Sequence, residues 1–370
     1  MNAAPPSLRV GFVIDGKLPG WRRPWEWVRG CPSDSAVGQM RFAWLARELH
    51  ADSASGVRYE LYRPGRRYAA VVFLKSMSAA CQQLAAELRA RGTRVLFDVN
   101  VDYFTPASGT FYYRGMAPTA EQTASARRMA ELSDALIADS SHLAKICTPQ
   151  HRTVRWISDN VDLRMIPQYR PWQPGAKLDL LWSGESVKLF ELLSIEGVLR
   201  KFAPHLRLVL VTNDLTALDR WFEPWKARLE KLLAALDHQI IPFRSVSELL
   251  KIYGHGGVFI APRFLDNTYN WGHTEWKIAL PMACGRVALG SPLPSYRDVA
   301  ERSGGTGLRL CADDAHWSAA LDEVLSGRFD FAAEEDAARA VVRNHYSTPV
   351  VAAAHRACVA EVCGGSPFSP

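Results

Sequence analysis

Short apolar runs rich in β-branched residues alternate with longer segments of helical periodicity along the whole chain. Strands that alternate with helices form parallel sheets covered by those helices, so this pattern predicts an α/β fold rather than a β-sandwich or a helix bundle. Two similar α/β domains are expected in succession. The sequence predicts six strands in each half, at residues 8–14, 57–62, 69–74, 94–99, 135–138 and 154–157, and at residues 178–182, 206–211, 239–242, 258–261, 287–289 and 308–311.

A proline-rich segment divides the two halves. Residues 166–175 contain three prolines and end in a glycine, a composition that blocks regular structure and predicts an interdomain hinge near residue 172. The expected domains are residues 1–172 and 173–346. The last segment, residues 347–370, is predicted to hold an alanine-rich helix capped by Ser347 or Thr348 and ended by Gly364.

The charge balance is mildly basic, with 44 Lys and Arg against 38 Asp and Glu and a formal net charge of +6. The basic clusters, such as Arg127 with Arg128, are dispersed over different elements. A small anionic ligand therefore explains the excess as well as nucleic acid does, and nucleic-acid binding ranks last among the functions considered.

Composition also limits where the protein is located in the cell and which cysteine chemistry it has. No apolar run approaches the roughly 18 residues of a membrane span, and the N-terminus lacks the basic start of a signal peptide, so a cytoplasmic protein is expected. The seven cysteines include no CxxC pair, which argues against a disulfide framework and against a structural zinc site.

Two segments of the first domain are candidates for ligand contacts. The loop after the first predicted strand carries Trp21 and Trp25 among arginines, which suits a sugar face or lipid headgroups as well as a packed covering loop. Asp98, Asn100 and Asp102 alternate at a strand end and point to one side if the chain stays extended. Contacts with acceptor hydroxyls are one interpretation, and turn and cap formation is the other, which is favoured over metal binding.

The segment 261–291 carries the most specific pattern. A predicted strand leads into a polar loop, and a helix is expected to open near His273 and Thr274 and to end at Gly285. Free backbone amides at a helix start suit a phosphate. Lys277 lies one turn after Thr274, so both side chains are expected to reach the same anion. The pattern predicts a diphosphate site.

This segment resembles the donor-binding region of GT-B glycosyltransferases of the retaining family 4 (glycosyl transferases group 1). One branch of that family has the pattern N-x-x-[ST]-x-x-K-x-x-E-x-M-A-x-G-x-P-V, and the residues that match it in register are Thr274, Lys277, Met282, Ala283 and Gly285. The resemblance implies two Rossmann-like domains with parallel sheets facing a central cleft. It assigns the acceptor to the first domain and the nucleotide sugar to the second, and it implies a last helix that crosses back to the first domain.

The resemblance also implies an activity. A sugar would pass from a nucleotide diphosphate sugar to a hydroxyl of a glycan or a lipid-linked saccharide, as in polysaccharide biosynthesis, with retention of configuration, no metal and no cofactor besides the nucleotide sugar. The residues assigned to catalysis are Lys277, Glu275 and Arg263. Those assigned to donor binding are Ser183, Gly184, Lys188, Asn270, His273 and Thr274, and those assigned to the acceptor are Trp21, Trp25, Asp98, Asn100 and Asp102.

Several positions depart from the family pattern. Its opening asparagine falls on Trp271, with Asn270 adjacent, and the first acidic position of its paired-glutamate motif falls on Gly272, with Glu275 close by. The glutamate that holds the nucleotide ribose falls on Leu280, and Glu185 stands where arginine is common. Loss of one buried acceptor costs about 1–3 kcal/mol of ribose binding. These departures motivate the alternative, a non-catalytic GT-B relative that binds a glycan, a nucleotide or a partner glycosyltransferase. Peripheral contact of the tryptophan loop with the inner face of the membrane is compatible with either function.

Overall fold

The computed structural model describes residues 8–14, 36–52, 56–111, 116–170, 172, 175–213, 215 and 223–364. Within them the chain forms two parallel six-stranded sheets surrounded by helices, which confirms the predicted α/β class. All twelve predicted strands are present, with ends displaced by at most two residues. The chain divides by its contacts into two compact units.

The first unit comprises, among the described residues, 8–106, 118–162 and 346–364. Its sheet has the order β2-β1-β3-β4-β5-β6. The strands are β1 (Leu8–Ile14), β2 (Val57–Leu61), β3 (Ala70–Leu74), β4 (Arg94–Val99), β5 (Ala135–Ala138) and β6 (Val154–Trp156). The helices are α1 (Trp44–Ala51), α2 (Ala79–Ala90), α3 (Ala120–Leu132), α4 (Ser141–Cys147) and α13 (Thr348–Val362), and α1 continues the helical segments Ala36–Gly38 and Gln39–Ala43.

Buried central strands explain why this sheet was readable from sequence. Every residue of β3 and of β5 is buried, because a parallel sheet covered on both faces reads as a continuous apolar run. One face packs on α2 and α3 and the other on α1 and α13. The carboxyl ends of β3, β4 and β5 therefore lie side by side at one edge.

The second unit comprises 107–111, 116–117 and the described residues of 163–345. Its sheet has the order β12-β11-β10-β7-β8-β9. The strands are β7 (Leu178–Gly184), β8 (Leu206–Thr212), β9 (His238–Pro242), β10 (Val258–Ala261), β11 (Ala288–Gly290) and β12 (Leu308–Leu310). The helices are α5 (Glu196–Phe202), α6 (Glu223–Ala234), α7 (Val246–Gly254), α8 (Thr268–Trp271), α9 (Trp276–Ala283), α10 (Pro294–Ser303), α11 (Asp314–Leu325) and α12 (Phe331–His345), with 3-10 turns at Leu163–Met165, Ser186–Ile195 and Ala203–His205.

The division between the units differs from the boundary expected near residue 172. Residues 163–170 belong to the second unit, because Tyr169 donates a hydrogen bond to Glu335 at 2.6 Å and the Arg170 carbonyl accepts one from Arg286 at 3.1 Å. Residues 107–117 also belong to the second unit although they lie within the predicted first domain. The predicted boundary rested on the local run of prolines, whereas the observed division between the two units follows from these tertiary contacts.

Candidate functional site

The carboxyl end of β7 opens the candidate site. Ser183 and Gly184 end this strand, and the Ser183 hydroxyl lies 2.6 Å from the Tyr253 hydroxyl of α7. A Cβ on Gly184 would lie 2.9 Å from the Trp182 ring and 3.4 Å from Lys277 Nζ. The absence of a side chain at Gly184 thus leaves the lysine amine next to the end of the strand.

Lys277 reaches this strand end from the first turn of α9. Its Nζ lies 4.3 Å from the centroid of the Trp182 ring, a favourable cation–π distance when the amine is charged. The Nζ atom is covered and has no hydrogen-bond partner among the residues that the structure describes. Burial, followed by the charges of Arg263 and Lys188, lowers the pKa of Lys277 well below its ordinary value, and Glu191 partly opposes this effect.

Arg263 follows β10, and Glu191 and Ser291 are among the residues that hold it. Its Nη1 lies 3.6 Å from Glu191 Oε1, and its backbone N–H donates to the Ser291 hydroxyl at 2.8 Å. Glu191 is fully buried, and its Oε2 accepts the backbone N–H of Phe264 at 2.7 Å. Lys277 thus lies within electrostatic range of Lys188, Arg263 and Glu191, and we call these four residues the basic cluster.

The polar loop after Arg263 packs beside the basic cluster. Asn267 caps the short helix α8 by accepting the backbone N–H of Asn270 at 2.7 Å, and Asn270 donates to the Phe264 carbonyl at 2.8 Å. Lys188 Nζ lies 5.6 Å from the centroid of the Tyr269 ring, which meets the His273 ring edge-on at 4.6 Å. Asn270 thus shapes the loop, while Tyr269 contacts both Lys188 and His273.

Helix α9 begins later than the sequence predicts. It starts at Trp276 rather than near His273 and Thr274, because the Thr274 hydroxyl accepts the Trp276 N–H at 3.4 Å and the Glu275 carbonyl accepts the amides of Ile278 and Ala279, both at 2.9 Å. The His273 carbonyl accepts the Ser295 hydroxyl at 2.7 Å. The Glu275 residue is 1% exposed.

A short segment from the first half of the sequence holds the same loop, and we call residues 108–110 the strap. Thr110 donates its backbone N–H to Asp266 at 3.2 Å and its hydroxyl at 2.5 Å, and Asn267 donates to the Thr110 carbonyl at 3.0 Å. Gly109 has φ +102°, and a Cβ there would lie 1.8 Å from the Asp266 carbonyl oxygen. Only glycine allows this close approach.

Leu280 and Glu185, two of the departures from the family pattern, lie in different surroundings. Leu280 lies inside α9 with 1% of its surface exposed, so an apolar contact occupies the position of the family glutamate. Glu185 is exposed and precedes the 3-10 turn, where its carbonyl accepts the Lys188 N–H at 2.8 Å. Lys188 is thereby held close to the end of β7.

In the first unit, one of the candidate acceptor residues, Asp98, contacts a buried arginine. Asp98 is fully buried and accepts from Arg41 Nε at 2.9 Å, and Arg41 also bonds Asp159 at 2.9 Å. Burial raises the pKa of Asp98, and the Arg41 charge opposes this effect. Asn100 is half-buried and donates to Asp139 at 3.1 Å.

Asp102 forms a turn. Its Oδ1 accepts the backbone amides of Phe104 at 3.0 Å and Thr105 at 2.9 Å, the usual pattern by which an aspartate stabilises a reversal of the chain. Trp21 and Trp25 lie outside the described residues, so a contact of their loop with sugars or lipid stays a prediction. Within the described part of the chain, no helix has the length and apolarity that crossing a membrane requires.

Sequence reasoning did not single out Glu191, Tyr253, Trp182 and Tyr269, which complete the surroundings of the basic residues. Glu191 gave one usable signal, since it is the only carboxylate within the apolar run 189–195, and a buried charge requires a partner. The other three are aromatic residues whose contacts depend on tertiary structure. The strap likewise gave no local signal.

No family model matches the sequence, and no curated protein does. Solved structures match over nearly the whole chain. A sucrose-phosphate synthase from Thermosynechococcus elongatus is 12% identical, with a TM-score of 0.64 over 94% of this chain and 96% of its own. A glycosyltransferase from Rickettsia africae is also 12% identical, with a TM-score of 0.64 over 97% of this chain and 100% of its own.

The HepE protein of Anabaena in complex with UDP-glucose is 9% identical, with a TM-score of 0.61 over 96% of this chain and 99% of its own. At such low identity the likeness is one of fold. The chain has the GT-B fold, a two-domain α/β architecture shared with these proteins, as the sequence predicted.

Proposed function

We propose that this chain is a glycosyltransferase that moves a sugar from a nucleotide diphosphate sugar to a hydroxyl of a glycan or a lipid-linked saccharide. The observation that carries the proposal is the basic cluster, in which Lys188, Arg263 and Glu191 all act on the charge of Lys277 beside the carboxyl end of β7. Ligands of open α/β sheets bind outside the carboxyl ends of the strands. Three basic groups that repel one another favour an anionic ligand such as a diphosphate.

The basic residues have distinct parts in the proposed reaction. Lys188 and Arg263 hold the diphosphate and stabilise the charge that develops on it as the bond to the sugar breaks. Arg263 is preorganised for this role by Glu191 and Ser291. Lys277 supplies the third nitrogen, and no metal is needed when cations of the protein neutralise the leaving group. Retention of configuration is part of the proposal by resemblance to the family.

Other residues would bind the two substrates. Ser183, Gly184, His273 and Thr274 line the donor side, and the buried Glu275 is assigned to the sugar. On the acceptor side, Asn100 is the most exposed of the three candidates that the structure describes, because Asp98 and Asp102 are buried. The co-substrate class is supported by the fold neighbours, one of which was solved with UDP-glucose. The reaction is expected in the cytoplasm, with peripheral membrane contact if the acceptor is lipid-linked.

A non-catalytic relative is the second candidate, and Leu280 favours it. An apolar residue with 1% exposure cannot accept a hydrogen bond from a ribose hydroxyl. Such a protein would bind a glycan, a nucleotide or a partner glycosyltransferase without turnover. Two results would distinguish such a protein from an enzyme: the nucleotide sugar binds but no product forms, or the nucleotide sugar does not bind.

The test is thermal unfolding of the full chain with a panel of nucleoside diphosphates and nucleotide sugars. A ligand at about a hundred times its dissociation constant stabilises the folded protein by about 2.7 kcal/mol. A stabilising nucleotide identifies the base, and the matching nucleotide sugar then enters turnover assays with glycan and lipid-linked acceptors. No stabilisation across the panel would contradict the proposal and favour the non-catalytic relative.

A further inference from the structure

The amine of Lys277 is the one feature of the basic cluster that diphosphate binding alone does not explain. Its Nζ is covered, and among the described residues it has no hydrogen-bond acceptor. The same atom faces Gly184, where a Cβ would come within 3.4 Å. A charged ammonium without an acceptor is costly to bury, so such a group sheds its proton.

We propose that Lys277 is uncharged in the ligand-free protein and takes up one proton when a nucleoside diphosphate binds beside it. This inference rests on the proposed function, because it needs a diphosphate at the basic cluster. It adds that the site changes its protonation when it fills, so that nucleotide binding is linked to pH through a single lysine.

The groups around Lys277 explain this behaviour. Arg263 from the loop after β10 and Lys188 from the 3-10 turn both repel a charge on its amine, and Glu191 from the same turn attracts one. The Trp182 ring of β7 covers the amine at 4.3 Å but accepts no full hydrogen bond. The Tyr253 hydroxyl of α7 bonds Ser183, and burial raises its pKa, so it remains protonated near neutral pH.

A bound diphosphate reverses the balance. Its negative oxygens supply the missing acceptors and offset the repulsion from Lys188 and Arg263, so the charged form of Lys277 becomes the favoured one. Where the amine is neutral before binding and charged after it, the complex gains a proton from the buffer. Binding then weakens about tenfold for each pH unit between the pKa of Lys277 in the free protein and its pKa in the complex.

Nuclear magnetic resonance tests the free protein first. The full chain is labelled with 13C- and 15N-lysine, and the Lys277 signals are assigned by their absence from the Lys277→Met variant. The inference expects the Cε and Nζ shifts of a neutral amine at about pH 8, where an ordinary lysine is charged. A charged Lys277 at that pH in the ligand-free protein overturns the inference, whatever nucleotides do.

Calorimetry then counts the protons. UDP, ADP and GDP are titrated into the chain at about pH 8, where their phosphates are already fully ionised, in HEPES and in Tris, whose ionisation enthalpies differ. The binding enthalpies should differ by the amount that corresponds to nearly one proton taken up per nucleotide. In Lys277→Met the uptake should disappear, and in Lys251→Met, a matched change at an exposed position on α7, it should persist.

The outcomes separate the two proposals. Nucleotide binding without proton uptake overturns the inference and leaves the proposed function standing. If Lys277 is neutral but no nucleotide binds, both proposals are overturned. In that case the spectrum shows that the missing binding is not due to an unexpected protonation state of Lys277. Thermal unfolding of both variants shows whether they fold, and uptake by Lys277→Met equal to that of the original chain would assign the proton to another group.

Discussion

The Tyr59 hydroxyl and Nδ1 of His355 lie 2.6 Å apart inside the first unit. Tyr59 comes from β2 and His355 from α13, so this hydrogen bond joins a strand near the start of the sequence to a helix near its end. His355 is 1% exposed, and burial, followed by the charge of Arg41, lowers its pKa from 6.5 to about 3. Helix α13 is therefore held by a neutral histidine.

Acid should weaken the protein through His355. An unfolded chain takes up a proton below about pH 6.5, whereas the folded protein resists doing so until about pH 3. The free energy of unfolding should then fall by about 1.4 kcal/mol per pH unit within this window, with no contribution from this residue above it. Urea unfolding at several pH values measures the slope.

The matched variants for this prediction are His355→Gln and His205→Gln. Glutamine does not titrate in this range. His355→Gln should therefore reduce the slope of the unfolding free energy against pH by about 1.4 kcal/mol per pH unit. His205 is exposed, and its replacement should leave the slope unchanged. Equal slopes in the original chain and in His355→Gln would contradict the assignment.

Arg41 should be far more important for stability than Arg47. Arg41 is 2% exposed and bonds Asp98 and Asp159, so Arg41→Met leaves two carboxylates buried without their cation. The expected loss is about 3–5 kcal/mol. The Arg47 side chain is 54% exposed and pairs with Asp162, so Arg47→Met should cost at most about 1 kcal/mol. Chemical denaturation of the two variants gives the comparison, and similar losses would contradict it.

The sequence predicted the fold well because the central strands are apolar runs bounded by helical segments. β3 and β5 are buried along their whole length, and such runs are legible without knowledge of their neighbours. The predicted start of α9 near Thr274 was too early: the helix begins at Trp276, and the Thr274 hydroxyl accepts the N–H of that residue, two positions later.

The candidate site was only partly predictable because its residues meet through tertiary contacts, which local sequence does not show. Lys188, Arg263 and Lys277 were found from the family pattern and from their charge, but their meeting point depends on how three elements pack. Gly184 appeared as part of a strand end, and its role in admitting the Lys277 amine follows from a tertiary distance of 3.4 Å. The strap was invisible because its partners lie more than 150 residues away in sequence, with Thr110 and Asp266 separated by 156 positions.

Gly109→Ala should destabilise the second unit and loosen the candidate site. The new Cβ would overlap the Asp266 carbonyl, 1.8 Å away, and alanine is also strained at φ +102°. The strap or the loop at 266–268 must therefore move, at a cost of roughly 2–4 kcal/mol. Thermal unfolding and nucleotide binding by calorimetry measure the two effects.

Gly327→Ala is the matched control. Gly327 has a positive φ of +71° but nothing within 4 Å of an added Cβ, so only the backbone strain is introduced. Its cost should stay near 1 kcal/mol, and nucleotide affinity should not change. If both alanine variants behave alike, the close approach of the strap to Asp266 has no energetic consequence.

Lys188→Met should weaken the binding of a nucleoside diphosphate. The methionine keeps most of the side-chain length and apolar contact with Tyr269 but removes the charge that the 3-10 turn brings to the basic cluster. A charge-assisted hydrogen bond contributes about 1.5–3 kcal/mol, so the dissociation constant should rise roughly 10- to 100-fold. The remaining affinity should also depend less on salt, because one fewer cation contacts the phosphates.

Lys251→Met makes the same chemical change at an exposed site on α7 and should bind the nucleotide as the original chain does. Calorimetric titrations at low and moderate salt measure both quantities, and equal dissociation constants for the two variants would place the phosphates away from Lys188.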